Sequence, residues 1–201
     1  MLTRFDAPLI RVPGDVLPRP HGNCYWVVRG RVLSGEYPAV HNPQLTEQCM
    51  RALVEAGVTH CFNFTHAGEA LPDYGAALAL AAAERGAQAR TERFAVADFG
   101  IPSVGGMRSA LQAIDTALAQ GANVYLHCRA GIGRTGTVVG CLLVEQGFSA
   151  DESLALIRDK WQVMDKRRLA PHSPETDEQR EFIERWARGA APWKRPPAAS
   201  R

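Results

Sequence analysis

A chain of 201 residues, 46% apolar and 22% charged, has the size and make-up of one globular domain, which excludes collagen-like, low-complexity and largely disordered proteins. The formal net charge of +2 argues against a nucleic-acid partner, whose phosphate backbone demands a dense face of Lys and Arg. The longest apolar run, residues 76–83, falls far short of the roughly 20 residues of a membrane span, and the five scattered cysteines contain no Cys-x-x-Cys pair that would mark a zinc site or a disulfide framework. The expectation is a cytoplasmic protein with reduced thiols, no metal site and no cofactor.

In chain order, Pro8, Pro13, Pro18 and Pro20 punctuate residues 1–22 and predict an extended arm over the surface. Residues 24–28 and 31–33 have strand character around Gly30 and predict a hairpin. A helix over 45–56 ends at Gly57 and leads into a strand over 58–64. Residues 74–85, dense in Ala and Leu, predict a buried helix, followed by a short strand over 91–96. Met107, Leu111, Ile114 and Leu118 recur at helical spacing before Gly121. A strand over 123–126 precedes Cys128, and Val138, Val139, Leu142 and Leu143 mark a helix ending at Gly147.

Ser149 and Glu152 form a capping box ahead of a helix with Leu154, Ile157 and Trp161 on one side. Ser173 as N-cap and Pro174 as first helical residue then predict a last helix that buries Phe182, Ile183 and Trp186. Residues 189–201, with Pro192, Pro196 and Pro197, predict an unstructured tail. The alternation gives an α/β fold, a central mixed β-sheet flanked by helices, organised as an arm (1–22), a domain (23–188) and a tail (189–201).

Residues 124–136 read V-Y-L-H-C-R-A-G-I-G-R-T-G, a strand entering a helix through a glycine-rich loop. Such a loop turns backbone N–H groups toward an anion, and here Arg129, Ala130, Gly131, Ile132, Gly133 and Arg134 are the expected phosphate-binding residues. Arg134 supplies a planar fork for two phosphate oxygens. A thiol at the base of the cup, Cys128, is favoured as thiolate by the amides and the guanidinium and is the expected nucleophile. Thr135 is placed to donate a hydrogen bond to it. Expulsion of the leaving group needs a carboxylic acid on another loop, and Asp98, in A-D-F-G-I-P after a strand, is the candidate.

Each of these has a blander reading. A Cys before a glycine turn is ordinarily a small core residue, and a loop Asp ordinarily caps a turn. Gly131-x-Gly133-x-x-Gly136 also fits a dinucleotide fingerprint, but the segment 149–161 that follows reads as helix where that fold requires a strand. Lys160, Lys166, Arg167 and Arg168 read as a solvated cluster, the alternative being a rim that attracts acidic phosphosubstrates. Cys61 is the nearest candidate to resolve an oxidised Cys128.

His127 to Thr135, H-C-x5-R-T, resembles the signature of the protein tyrosine phosphatase superfamily. The chain length, the short loop at Asp98 and the G-E-Y-P stretch at residues 35–38 are similar to its small dual-specificity branch. The resemblance implies Cys128 as nucleophile, Arg134 as phosphate clamp, Asp98 as general acid and His127 in support. E-T-D-E-Q at residues 175–179 resembles the family's Q-T-x-x-Q element, with Glu175 in place of the first Gln and Gln179 kept. No tyrosine-recognition loop is found, which implies a shallow pocket for phosphotyrosine and also phosphoserine or phosphothreonine. The implied partner is a phosphorylated protein or a small phosphomonoester. Two alternatives stand beside it. One is a phosphoinositide, for which Arg129 matches one of the two basic positions of lipid phosphatases and Ile132 occupies the other. The second is a phosphate-binding module without turnover.

Overall fold

A computed structural model describes residues 5–189. Five strands, β1 (Cys24–Val28), β2 (Val32–Gly35), β3 (His60–Asn63), β4 (Arg90–Arg93) and β5 (Val124–His127), form one sheet in the order β1-β2-β5-β3-β4. β1 and β2 are an antiparallel hairpin, and β2, β5, β3 and β4 run parallel, so the sheet is mixed. Parallel neighbours need crossovers, and the helices supply them on both faces. α2 (Pro43–Glu55) and α3 (Gly75–Ala83) pack on one face, around Leu33, Leu53, Cys61, Leu78 and Tyr125. α4 (Val104–Ala119), α5 (Gly133–Glu145), α6 (Ala150–Trp161) and α7 (Asp177–Gly189) pack on the other, around Val124, Leu126, Ile114, Val139, Ile157 and Ile183.

β5 sits at the centre and is buried on both sides, which explains why V-Y-L-H carries no polar alternation. β4 lies at the edge and keeps all four residues exposed; its Arg90, Glu92 and Arg93 discourage pairing with another chain. Local chemistry fixes several helix starts. Asn42 caps α2 and Ser103 caps α4 through their side chains, and the Ser149/Glu152 capping box at α6 forms in both directions.

Several expectations differ from the structure. The arm is not wholly extended: α1 (Ala7–Ile10) forms one helical turn with Ile10 fully buried. α3 buries Leu78, Ala81 and Ala82 but leaves Leu80 57% exposed, because a helix laid on a sheet buries one stripe only. α7 starts at Asp177 rather than at Pro174. Ser173 donates its hydroxyl to the Ile132 carbonyl (2.8 Å) instead of capping; in its place the Thr176 Oγ1 accepts from the Gln179 N–H (3.2 Å) and the Gln179 Oε1 accepts from the Glu175 and Thr176 N–H groups (3.1 Å each).

Lys160 is not part of a solvated cluster. It is 1% exposed, and its Nζ donates to the carbonyls of Val12 (2.9 Å) and Trp26 (3.1 Å), pinning the arm to β1. Burial lowers its pKa to about 8. Lys166 is likewise committed, to Glu36 and to the Ala130 carbonyl. Cys61 and Cys128 lie in the cores on opposite faces of the sheet, so Cys61 is not placed to resolve an oxidised Cys128. The predicted tail falls, beyond Gly189, outside the described residues.

Candidate active site

β5 runs through the middle of the sheet and ends at His127; the chain then turns through residues 128–132 into α5. Tight passage explains the glycine at 131. Its φ is +75°, and a Cβ there would lie 2.4 Å from the Gly35 carbonyl carbon and 2.7 Å from the Glu36 nitrogen. At Gly133 a Cβ would meet the Gln179 amide at 2.7 Å, so α7 closes directly onto the start of α5.

The loop's carbonyls are held from outside. Tyr37 N–H donates to the Arg129 carbonyl (3.0 Å), Lys166 Nζ to that of Ala130 (2.8 Å) and Ser173 Oγ to that of Ile132 (2.8 Å). Lys166 is itself braced by Glu36 at 2.6 Å. Among the described residues, the N–H groups of Arg129, Ala130, Gly131 and Ile132 donate to no protein acceptor. A loop with committed carbonyls and free amides is suited to an anion. Cys128 lies at its base, 2% exposed, while Arg129 is exposed on the rim.

His127 is fully buried. Its Nε2 meets the Tyr74 hydroxyl at 2.6 Å, its Nδ1 lies 3.3 Å from the Cys128 carbonyl, and Tyr74 continues to the Thr91 hydroxyl at 3.0 Å. Burial lowers the imidazole to about 3, so the ring is neutral. A neutral ring that donates from Nδ1 to Cys128 must accept at Nε2 from Tyr74, which gives the chain a single direction.

Arg134, 3% exposed, points its guanidinium at two carboxylates brought by neighbouring strands. It forms a two-pronged pair with Glu69 on the loop after β3, with Nη2 to Oε2 at 3.1 Å. Its Nη2 also donates to Asp98 Oδ1 (2.8 Å) and its Nη1 to the Val96 carbonyl (3.1 Å), both on the loop after β4. The structure therefore brings together Cys128, Arg134 and Asp98. Burial alone would raise the Glu69 carboxyl, but Arg134 and the His66 N–H (2.7 Å) outweigh it and hold the group below the usual carboxylate range.

Glu69 is the residue that sequence reasoning missed. Its signal was positional: it is the first acidic residue in the loop leaving β3, the parallel strand beside β5, and a lone Glu in T-H-A-G-E carries no motif. Asp98 is 48% exposed at its side chain and precedes Phe99, which adopts a positive φ of +58° and is 59% exposed. Thr135 is fully buried and its hydroxyl has no hydrogen-bond partner among the described residues. Gln179 donates from Nε2 to the Gly100 carbonyl (3.1 Å), which ties the Asp98 loop to α7. Glu175, on the segment before α7, is raised by burial and by Asp98, against the pull of Arg134.

Residues 21–183 match the family described as Swiss Army Knife protein, DSP-PTPase phosphatase domain. The tyrosine-protein phosphatase CDC14 of Saccharomyces cerevisiae is 33% identical over 58 residues, which cover 28% of this chain and 10% of that protein. The chain spans about a tenth of the length of the curated relatives it matches. Among solved structures, Tk-PTP in the active form is 25% identical with a TM-score of 0.60, covering 80% of this chain and 93% of that one. PTPMT1 in complex with PI(5)P shares the fold at 20% identity and a TM-score of 0.59, covering 79% and 91%.

Proposed function

The chain belongs to the DSP-PTPase phosphatase domain family, and from that premise we propose that it hydrolyses phosphotyrosine, and phosphoserine or phosphothreonine, in proteins through a phosphocysteine intermediate. One observation carries the reading: Arg134 of the cysteine loop and Asp98 of a separate loop meet at 2.8 Å beside a loop whose amides are free. A phosphoryl group seated on those amides competes for the Arg134 Nη2 donor that Asp98 now accepts from.

Cys128 Sγ attacks phosphorus in line, and the P–S bond forms as the bond to the leaving oxygen breaks. Asp98 gives its proton to that oxygen, and Arg134 with the loop amides stabilises the charge on the equatorial oxygens. Water then attacks phosphorus, Asp98 takes its proton, and the P–S bond breaks to release phosphate and the Cys128 thiolate. Thr135, whose hydroxyl has no other partner among the described residues, donates a hydrogen bond that stabilises the sulfur as it leaves as the thiolate. Arg129 stands exposed at the mouth to meet an acidic substrate.

Hydrolysis of para-nitrophenyl phosphate with chelator present tests the reading. Cys128→Ser is expected to abolish turnover, and Asp98→Ala to lower kcat by about 10²-fold or more. Loss in Cys128→Ser alone means another acid; a native chain that binds phosphate without turnover would be a binding module. Phosphopeptides and phosphoinositides offered side by side decide the substrate class, with preference for the lipid refuting the protein reading.

A further inference from the structure

Three fully buried hydroxyls, of Tyr25, Ser34 and Thr135, have no hydrogen-bond partner among the described residues. Buried polar groups are nearly always paired, so a group of unpaired donors calls for a common acceptor. Tyr25 and Ser34 face each other across the β1–β2 ladder, and Ser34 is the partner of Leu126 on β5. Leu126 precedes Cys128 by two residues, and both belong to the same core as Tyr25. A thiolate at Cys128 would add, as a contribution smaller than burial, to the cost of ionising the Tyr25 phenol. The Ser34 hydroxyl also acts on the phenol, yet the two oxygens do not meet in hydrogen-bonding geometry. Thr135 follows Arg134 in the first turn of α5.

A neutral thiol is a weak acceptor, whereas a thiolate is a strong one. We propose that Ser34 and Tyr25 are positioning residues for Cys128, favouring its thiolate from the sheet side through a hydroxyl relay that closes as the thiol ionises, Tyr25 then donating to Ser34 and Ser34 to the sulfur. This rests on the proposed function in taking Cys128 as the thiolate nucleophile. Tyr25 keeps its proton because burial pushes the phenol up to about 12, to which Cys128 adds. Arg134 acts on the sulfur from α5, and Glu69 and Asp98 act on Arg134. β1 and β2 bring no charged side chain to this face; their other titratable group, Cys24, lies in the opposite core.

The test is alkylation of Cys128 by iodoacetamide across neutral and alkaline pH, read from the mass of the labelled peptide in the native chain, Ser34→Ala and Tyr25→Phe. Ser34→Ala is expected to move the half-maximal pH up by about one unit, which is about tenfold slower alkylation at neutral pH, with rates converging in alkali. Tyr25→Phe keeps the edge contact with Trp161 at 6.3 Å, so it retains the packing and is expected to give a smaller shift in the same direction. An inflection that stays in place in both variants, with the native thiol reactive at neutral pH, overturns the relay and leaves the nucleophile reading standing. A native Cys128 that reacts only in alkali, as an ordinary thiol does, overturns both.

Discussion

Glu69→Ala removes the two-pronged partner of a guanidinium that is 2% exposed at its side chain, while Glu69 itself is 12% exposed. Breaking a buried pair by deleting one partner costs about 3–5 kcal/mol, because the other charge is left in place without its counter-ion. Arg134 retains Asp98 and the Val96 carbonyl, so the lower end, about 3 kcal/mol, is the expected loss. For a chain of 201 residues that corresponds to a fall in Tm of about 6–12 °C. Glu69→Gln keeps the shape and one acceptor oxygen and is expected to lose less. Misplacing a phosphate clamp by about 1 Å lowers kcat/KM on the order of 10²-fold. The folded carboxyl is held below its usual value, so its contribution to stability is present above the unfolded carboxylate pKa of about 4.3 and fades as pH falls through the folded value. Calorimetry of both variants against pH, with steady-state kinetics on an aryl phosphate, checks all three expectations. A Glu69→Ala variant that melts and turns over like the native chain would refute the claim that Glu69 holds Arg134.

Gly131→Ala forces a Cβ to within 2.4 Å of Gly35 at a φ of +75°. A cost of about 2–5 kcal/mol and loss of turnover are expected, measured by denaturant melts and aryl phosphate hydrolysis. Lys160→Met tests the buried amine. With a folded value of about 8 against about 10.4 unfolded, native stability should rise between those pH values, by on the order of 3 kcal/mol, as the folded state sheds its proton first. Melting curves of the Met variant should lack that rise, and a rise of equal size in both would assign it to other groups.

The legible parts of the fold were those written in local chemistry. The capping box at Ser149 and Glu152, the apolar spacing of α4 and the uniform burial of β5 follow from neighbours within a few residues. Illegible parts depended on partners far away in the chain. Ser173 followed by Pro174 has the composition of a helix start, but a carbonyl 41 residues back claims the hydroxyl. Lys160 looks like a surface cation until the arm brings the Val12 carbonyl 148 residues away into reach. In the candidate site, the pattern of residues 127–136 is legible because it lies in one continuous stretch, a strand, a glycine-rich turn and a helix start. Glu69 is not, because an acidic residue 65 positions before its partner has meaning only once β3 lies beside β5.

The parallel run of β2, β5, β3 and β4 has a consequence for how such a chain diversifies. The segments carrying Glu36, Cys128, Glu69 and Asp98 each leave the same end of a separate strand, whose register is fixed by its own ladder. Residues added after β3 or β4 raise the wall on one side of the mouth without shifting any pairing. The central turn has no such freedom, since it is tied on three carbonyls and pressed against Gly35. Changes of length are therefore accommodated more easily in the two peripheral loops than in the central turn, provided that they leave Glu69 and Asp98 against Arg134.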